Sequence, residues 1–305
     1  MRYFIKIIFS ILLLCLTVNV FAQDYQILDV DVDYHTEGDI KAYVTPQNIY
    51  VVTSIGSSYD DKYSVIDRSN LTIGDDGFLR LNYNGKERIL IDGSQINQAF
   101  TEYKNSGMLK NDSRKRVHHN DNVKDVKASS FFSEKINGKT IKFTPDNLFK
   151  AFEMGCTCHY YIWDETHIPW AEGVAGYGIG ESITVEFHKP IAGFSLLNGY
   201  VDVNIMKLYK ENSSIKTLIV KDLSNNTSQR IEIEDIVHFE LIKFAEPTKK
   251  IQLIIDDVYP GILYQDTCIS AIVYHESLRN LPINIEEVVK EKIAEITVKA
   301  KRYNR

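Results

Sequence analysis

The chain has 305 residues, a formal net charge of −6 and a hydrophobic fraction of 44%. This acidic balance, without a basic face that could neutralise phosphates, argues against a nucleic-acid partner. The length and apolar fraction suit two domains with their own cores, and 18 Tyr with 14 Phe favour β structure.

Residues 1–22 have the pattern of a signal peptide. Arg2 and Lys6 give a basic start, and Ile7–Val20 is a mostly apolar run that is too short to span a bilayer. Cleavage after Ala22 is favoured over lipid modification of Cys15, because leucines stand where a lipoprotein signal has small residues. The signal peptide predicts an exported protein, periplasmic or extracellular. No other segment is apolar enough to cross a membrane.

Residues 23–101 are predicted to form a small β-rich domain of no recognised family. Asn84-Gly85 predicts a hairpin turn between two apolar-alternating segments, because both residues tolerate positive φ. Residues 102–125 are rich in Lys, Asn, Asp and Ser and are predicted to be a polar linker. The basic cluster Arg114–His119 lies within it and is interpreted as a solvated stretch.

The segment Glu153–His167 carries soft metal-ligand types: Cys156, Cys158, His159 and His167. The C-x-C-H spacing lacks the paired C-x₂-C that makes a zinc prediction strong, so we predict no metal and no cofactor. A disulfide within Cys156-Thr157-Cys158, one of these cysteines bonded to Cys268, and free thiols all remain open. Cys268 lies in an apolar strand pattern and is expected to be a small buried residue.

Residues 126–276 are predicted to form the second domain, with many short strands separated by polar turns. This pattern is typical of an antiparallel β-sandwich. Residues 277–305 form a tail in which Ile285–Val298 has apolar residues at the spacing of an amphipathic helix. The strands predicted in the second domain are 182–187, 191–197, 215–222, 229–236, 239–244, 250–258 and 268–274.

A glycine-rich loop in Pro169–Phe187 is predicted to be a ligand platform. It contains an indole at Trp170 and carboxylates at Glu172 and Glu181, and it runs into an alternating strand. The two carboxylates are candidates for acid–base chemistry by location alone, and holding the loop through backbone N–H groups is the stronger interpretation. The chain has no H-E-x-x-H, G-x-S-x-G or P-loop motif, so no catalytic residue is predicted.

Three motifs carry a resemblance to a known family. They are W-A-E-G-V-A-G-Y-G-I-G-E-S-I from Trp170, L-N-G-Y at Leu197–Tyr200, and D-V-Y-P-G-I-L-Y-Q-D-T-C-I-S-A-I at Asp257–Ile272. Together they resemble the bacterial NADase-type glycan-binding domain, over about Val126–Glu276. That family is similar to discoidin and galactose-binding jelly rolls. The resemblance implies an antiparallel jelly-roll β-sandwich for this part of the chain, and it implies no hydrolase activity. With the patterns on either side, the predicted fold is all-β: this sandwich follows the small β-rich domain and precedes a short C-terminal helix.

A saccharide site needs aromatic rings that stack on a pyranose and planar polar groups for its hydroxyls. Loop placement selects eight candidates: Trp170, Glu172, Tyr177, Asn198, Tyr200, Tyr259, Tyr264 and Asp266. Asn212 and Asp257 are further polar groups of this kind. The structural alternatives are that Trp170 fills the end of the sandwich, that Asn198 forms a turn, and that Asp266 caps a strand connection.

Two functions follow as hypotheses. The first is an exported, non-catalytic carbohydrate-binding protein that holds a glycan on loops at one end of the sandwich. The second is a cell-envelope structural or protein–protein interaction module without a sugar ligand, whose partner is an envelope protein.

Overall fold

The computed structural model describes ten stretches of the chain: residues 25–29, 39–54, 62–92, 117–118, 121–136, 138–150, 152–154, 160–162, 168–278 and 285–303. These residues fall into two compact units. The first takes its residues from Met1–Leu71, Leu81–Arg88 and Ile283–Arg305, and the second from Thr72–Arg80 and Ile89–Pro282. The predicted signal peptide, Cys156, Cys158, His159, His167 and most of the predicted linker lie outside the described residues.

Seven strands from the first part of the sequence form one sheet. In chain order they are β1 (Tyr25–Asp29), β2 (Asp39–Val44), β3 (Asn48–Ser54), β4 (Lys62–Asp67), β5 (Leu71–Ile73), β6 (Leu79–Tyr83) and β7 (Lys86–Asp92), and a 3₁₀ turn at Arg68–Asn70 follows β4. Their order across the sheet is β4-β3-β2-β1-β7-β6-β5. Asn84 and Gly85 separate β6 from β7 with φ of 52° and 73°, which confirms the predicted hairpin turn.

The remaining elements continue in chain order. The strands are β8 (Val117–His118), β9 (Val123–Ala128), β10 (Ser133–Ile136), β11 (Lys139–Lys142), β12 (Phe152–Met154), β13 (Tyr160–Ile162), β14 (Trp170–Ala171), β15 (Ser182–Asn198), β16 (Ser214–Asp222), β17 (Thr227–Glu232), β18 (Phe239–Tyr259) and β19 (Cys268–His275). The helices are a 3₁₀ turn at Pro145–Phe149, α1 (Leu208–Glu211) and α2 (Ile285–Tyr303). No helix within the described ranges is long and apolar enough to cross a membrane.

Helix α2 packs on the seven-stranded sheet through an apolar face. Val289 and Ile296, two helical turns apart, are buried in one cluster with Tyr43 of β2 and Val52 of β3. The apolar spacing that predicts a helix near the C-terminus is therefore confirmed, and its apolar face is covered by this sheet.

Two long strands make the second unit a sandwich. The first part of β15, Ser182–Glu186, pairs with β9 and with the end of β18, whereas its last part, Gly193–Asn198, pairs with β19 and with the start of β18. The ladder slips between these parts, so the two parts of β15 have different neighbours on one side, β9 and then β19. Both parts contribute core residues, for example Ile183 and Phe194.

This continuity corrects one expectation. Residues 188–190 are not a turn between two strands, and residues 245–249 do not separate two others: β15 spans 17 residues and β18 spans 21. Proline at position 190 lacks a ladder donor, and it lies where the pairing of β15 is interrupted. The sandwich architecture itself is confirmed, with all strand pairs of this sheet antiparallel.

Candidate ligand-binding site

Three loops meet at one end of the sandwich. The loop after β14 begins at Glu172, whose N–H donates to the carbonyl of Thr267 at 3.2 Å. The loop after β15 begins at Gly199 and returns at Ser213, whose N–H donates to the carbonyl of Asp266 at 3.1 Å. Residues 260–267, between β18 and β19, lie between these two loops. Short backbone bonds thus hold the three loops together before any ligand is present.

Trp170 does not face a loop surface. Its side chain is fully buried in the sandwich core with Leu148 and Phe149, and its indole Nε1 donates to the carbonyl of Ser130 at 3.2 Å. Strand β14 fixes this position by pairing Trp170 with Ile269 of β19. The indole therefore fills the end of the core, and neither face is open for stacking in this structure.

Glu172 lies inside the glycine-rich loop. Its Oε2 accepts the N–H of Val174 at 2.8 Å, and its Oε1 accepts the N–H of Thr267 at 3.4 Å. A Cβ at Gly178, where φ is +63°, would stand 2.5 Å from the Glu172 Cγ, so only glycine allows this close approach. Burial raises the pKa of the Glu172 carboxyl, and the two N–H bonds only partly oppose that effect. These contacts match a carboxylate that holds the loop.

Three further candidates form contacts within the protein. Asn198 is buried, with Nδ2 donating to the Ile215 carbonyl at 2.7 Å and Oδ1 accepting the Ile215 N–H at 3.0 Å. The half-buried Tyr177 packs on the core and accepts the Thr267 hydroxyl at its carbonyl, at 2.8 Å. The hydroxyl of Tyr259 donates to the Ile233 carbonyl at 3.1 Å.

The other three candidates line one pocket of about 230 Å³. They are Tyr200, Tyr264 and Asp266. Of the additional polar groups, Asn212 joins them and Asp257 does not: Asp257 pairs with Lys216 at 2.7 Å. We call this cavity the Tyr200–Tyr264 pocket, and its remaining lining residues are Phe132, Glu134, Phe143, Ala171, Leu208 and Cys268.

The pocket walls are built by backbone contacts between neighbouring loops. The N–H of Tyr264 donates to the Glu211 carbonyl at 2.8 Å, and the N–H of Ile262 donates to the Lys210 carbonyl at 2.9 Å. Asn212 is oriented by a bond from its Nδ2 to the Leu208 carbonyl at 3.0 Å. Helix α1 and the 260–267 loop are therefore fixed to each other on one side of the pocket.

The aromatic residues Phe132 and Phe143 form the opposite side. Their rings pack together at 5.6 Å between centroids, and the Phe143 ring meets the edge of Tyr200 at 6.4 Å. The N–H of Phe132 donates to the Ala171 carbonyl at 2.9 Å, which fixes the start of β10 beside β14. Sequence reasoning missed this side because β10 and β11 precede the loops by many residues, and a periodic pattern does not reveal which strands meet.

Part of the second unit, including most residues of this pocket, is similar to a known protein family. Residues 158–275 match the model of the NAD glycohydrolase translocation F5/8 type C domain family. The resemblance drawn from the three sequence motifs is thereby confirmed. The family model starts after β9, although β9 pairs with β15 and belongs to the same sandwich.

Solved structures similar to this chain include the NMR structure of the Streptococcus pyogenes NAD⁺-glycohydrolase translocation domain. It shares 22% identity at a TM-score of 0.26, covering 38% of this chain and 97% of that one. The family 32 CBM from C. perfringens NanJ in complex with galactose shares 10% identity at a TM-score of 0.32, covering 49% and 91%. CpGH89CBM32-4 from Clostridium perfringens, in complex with glcNAc-alpha-1,4-galactose, shares 15% at 0.31, covering 53% and 96%. A comparison with curated proteins finds no match.

The titratable groups around the Tyr200–Tyr264 pocket show how it is charged. Burial, with the nearby Cys268, Asp202 and Glu134, raises the pKa of Tyr200 to about 12. Burial also raises the pKa of the Asp266 carboxyl and of the Cys268 thiol. Cys268 is a free, buried cysteine, as expected for a small core residue. Its thiol stays protonated near neutral pH and is a poor nucleophile.

An apolar tip projects beside the Tyr200–Tyr264 pocket. Ile262 is 74% exposed, Leu263 is 63% exposed, and Tyr264 is 49% exposed. Tyr264 therefore belongs both to this tip and to the pocket wall. Within the described residues, no group of three His, Cys, Asp or Glu side chains is arranged to hold a metal ion.

Proposed function

We propose that the chain is an exported, non-catalytic saccharide-binding protein whose sugar occupies the Tyr200–Tyr264 pocket. The observation that carries this proposal is the combination of a half-exposed tyrosine ring with amide and carboxyl groups in one small, preformed cavity. An aromatic face stacks on the apolar face of a pyranose, and planar polar groups bind its hydroxyls.

The size of the pocket suits a single sugar unit. Small-molecule sites usually enclose about 300–1,000 Å³, and this pocket encloses about 230 Å³. The ligand is therefore one terminal or internal residue of a glycan, and the rest of the glycan lies outside the pocket. Such a site binds weakly, because one sugar ring has few atoms and the binding free energy per ligand atom is limited.

The absence of catalysis in this proposal rests on the chemistry of the lining groups. Tyr200 and Cys268 are held protonated near neutral pH by their raised pKa values, so neither acts as a nucleophile or base there. The matched family describes a translocation domain. A direct check is to incubate the purified protein with bound glycans and with NAD⁺, for which we expect no turnover.

The binding experiment is a glycan array probed with the purified protein and two tyrosine variants. Tyr264→Ala removes the ring beside the pocket, and Tyr63→Ala is the matched control, because Tyr63 is also about half exposed but lies in β4 of the other unit. We expect Tyr264→Ala to lose the array signal and Tyr63→Ala to keep it, with circular dichroism unchanged in both. Equal binding by all three proteins would contradict the proposed site.

Export has its own test. The predicted cleavage after Ala22 should give a secreted chain whose first residue is Gln23, which N-terminal sequencing or intact mass can identify. Retention of residues 1–22 on the mature chain would contradict the export proposal.

A protein-interaction module is the second candidate, and the exposed pair Ile262 and Leu263 favours it. The description of the matched family as a translocation domain also fits a role with a protein partner. Replacing both residues with Asp should leave saccharide binding intact under the first proposal. The second function holds instead under two conditions. The unmodified protein gives no signal on the glycan array, and it pulls down a cell-envelope partner that the double Asp variant does not.

A further inference from the structure

The Tyr200–Tyr264 pocket has an uneven charge. Two of its lining residues, Glu134 and Asp266, are carboxylates, and none of the lining residues is Lys, Arg or His. Neither carboxylate forms an ion pair with another described residue. The pocket thus presents negative charge that the described protein leaves without a counter-ion.

Lysines near the pocket are committed to other partners. Lys207 reaches Glu211 at 3.0 Å between Nζ and Oε1, within one turn of α1. Lys210 reaches Asp235 at 2.7 Å between Nζ and Oδ2. Both lysines are close in sequence to Leu208, which lines the pocket. The carboxylates that pair with them, Glu211 and Asp235, do not line the pocket.

Charges around the pocket act in the same direction. Asp202 and Glu134 both raise the pKa of the Tyr200 hydroxyl, and Asp266 and Glu172 both raise that of the Cys268 thiol. Within the described residues, both pKa values are raised by burial and by neighbouring acidic groups. Together with the two carboxylates that line the pocket, these groups favour a cationic ligand over an anionic one.

Resting on the proposed saccharide site, we propose that the pocket selects a sugar bearing a free amino group, whose ammonium pairs with Asp266 and Glu134. An ammonium group donates three hydrogen bonds and supplies the missing counter-charge. A uronic or sialic acid would bring a carboxylate against two others, and an N-acetylated sugar would leave the negative charge uncompensated.

The experiment measures the binding of matched sugars by NMR titration of the full protein. The panel has two series, the methyl glycosides of glucose, glucosamine, N-acetylglucosamine and glucuronic acid, and the corresponding galactose series. It is run near neutral pH, where much of the amine is protonated, because the raised pKa of Asp266 means that acid would favour the uncharged form of this carboxyl. In at least one series we expect the amino sugar to bind about tenfold more tightly than its N-acetyl partner, with no binding of the uronic acid.

Variants connect this preference to the pocket. Asp266→Asn and Glu134→Gln should each reduce the preference for the amine while leaving weak binding of the neutral parent sugar. Glu246→Gln is the matched control, because Glu246 is an exposed carboxylate of the same unit that does not line the pocket. It should change neither affinity.

The failures of the two proposals can be distinguished. One outcome is that neutral, N-acetylated or acidic sugars bind as tightly as the amino sugar and that Tyr264→Ala still removes this binding. That outcome would overturn the charge preference and leave the proposed saccharide site intact. Unchanged amine preference in both carboxylate variants would also overturn it. No binding of any glycan on the array or in the titration would overturn both proposals.

Discussion

The ring of Tyr209 lies directly against the backbone of Gly199. A Cβ at position 199 would stand 2.5 Å from Tyr209 Cε2, and Gly199 has φ of +78°. Gly77 approaches the other edge of the same ring, since its Cβ would stand 2.7 Å from Cε1. This contact fixes α1, and with it the Leu208 wall of the pocket, at the end of β15.

Replacement of Gly199 by alanine should therefore be costly. The added methyl group must displace a buried ring, and alanine is strained at this φ, so we expect about 2–4 kcal/mol of lost unfolding free energy. Gly138→Ala is the matched control: Gly138 has φ of +79° with nothing within 4 Å of an added Cβ. It should cost about 1 kcal/mol from backbone strain alone. Urea denaturation measures both, and equal losses would contradict the ring contact.

Replacement of Trp170 by alanine should destabilise the sandwich rather than report on a ligand. The indole is fully buried, so we expect a loss of about 3–5 kcal/mol. Thermal melting should show this loss in the absence of any sugar. Trp170→Phe keeps most of the volume and should cost less, although the Ser130 carbonyl loses its indole donor. A fully stable Trp170→Ala variant would contradict the buried position.

Asn198 should matter for stability for a different reason. Its amide satisfies both the N–H and the carbonyl of Ile215, so Asn198→Ala leaves two buried backbone groups without that partner. We expect a cost of about 1–3 kcal/mol in a urea titration. Asn204→Ala, at an exposed loop position, is the control and should be near neutral. If the two variants behave alike, the side chain of Asn198 is not fixed as described.

Asp222 should make the stability of the second unit depend on acid. Burial raises the pKa of its carboxyl, but donors from Thr248, Asn225 and Ser224 outweigh burial and set it below the usual 3.8. A lowered folded pKa gives stability that is present above about pH 3.8 and is lost as the pH falls through the folded value. Asp222→Asn should therefore lower stability at neutral pH and flatten this acid dependence.

The measurement is the difference in unfolding free energy between the parent and Asp222→Asn, determined from neutral pH down to acid. The difference should shrink as the pH falls. Glu172 and Asp266 have raised pKa values in the folded state, so their effect on stability has the opposite pH dependence. The stability they contribute is present in acid and is lost as the pH rises through the folded pKa. Only the difference between the two proteins isolates Asp222, and a difference that stays constant with pH would contradict its role.

Ile296→Ala should loosen α2 from the seven-stranded sheet. The side chain is buried with Tyr43 and Val52, so we expect a loss of about 2 kcal/mol. Val298→Ala is the control on the same helix, because Val298 is about half exposed. Far-ultraviolet circular dichroism during urea denaturation follows both variants. The same packing means that deletion of residues 285–305 removes part of the first unit and does not by itself reveal a partner.

Local patterns predict much of this fold, because they depend on near neighbours in the chain. Alternation predicts the strands that become β15 to β19, and Asn84-Gly85 predicts the hairpin turn. The same alternation does not distinguish a turn from a bend at residues 188–190, because a strand that slips its register keeps its apolar pattern on either side.

Tertiary contacts decide the site, and so the sequence predicts it only in part. Loop position selects Tyr200, Tyr264 and Asp266, which the fold brings together. The same criterion selects Trp170, whose two-residue strand pairs inside the sandwich and buries the ring. Phe132 and Phe143 reach the pocket only because β10 and β11 pack beside β14, a relationship that no local pattern contains.

Mapping of amide chemical shifts can locate a saccharide in the Tyr200–Tyr264 pocket. We would titrate the isotope-labelled protein with the sugars that bind on the array and follow every assigned amide. We expect saturable shifts centred on Tyr200, Asn212, Tyr264 and Asp266, and none at the buried Trp170 indole beyond small relayed changes. Shifts centred on the 173–181 loop or on the first unit, or no saturable shift with any sugar, would contradict the proposed site.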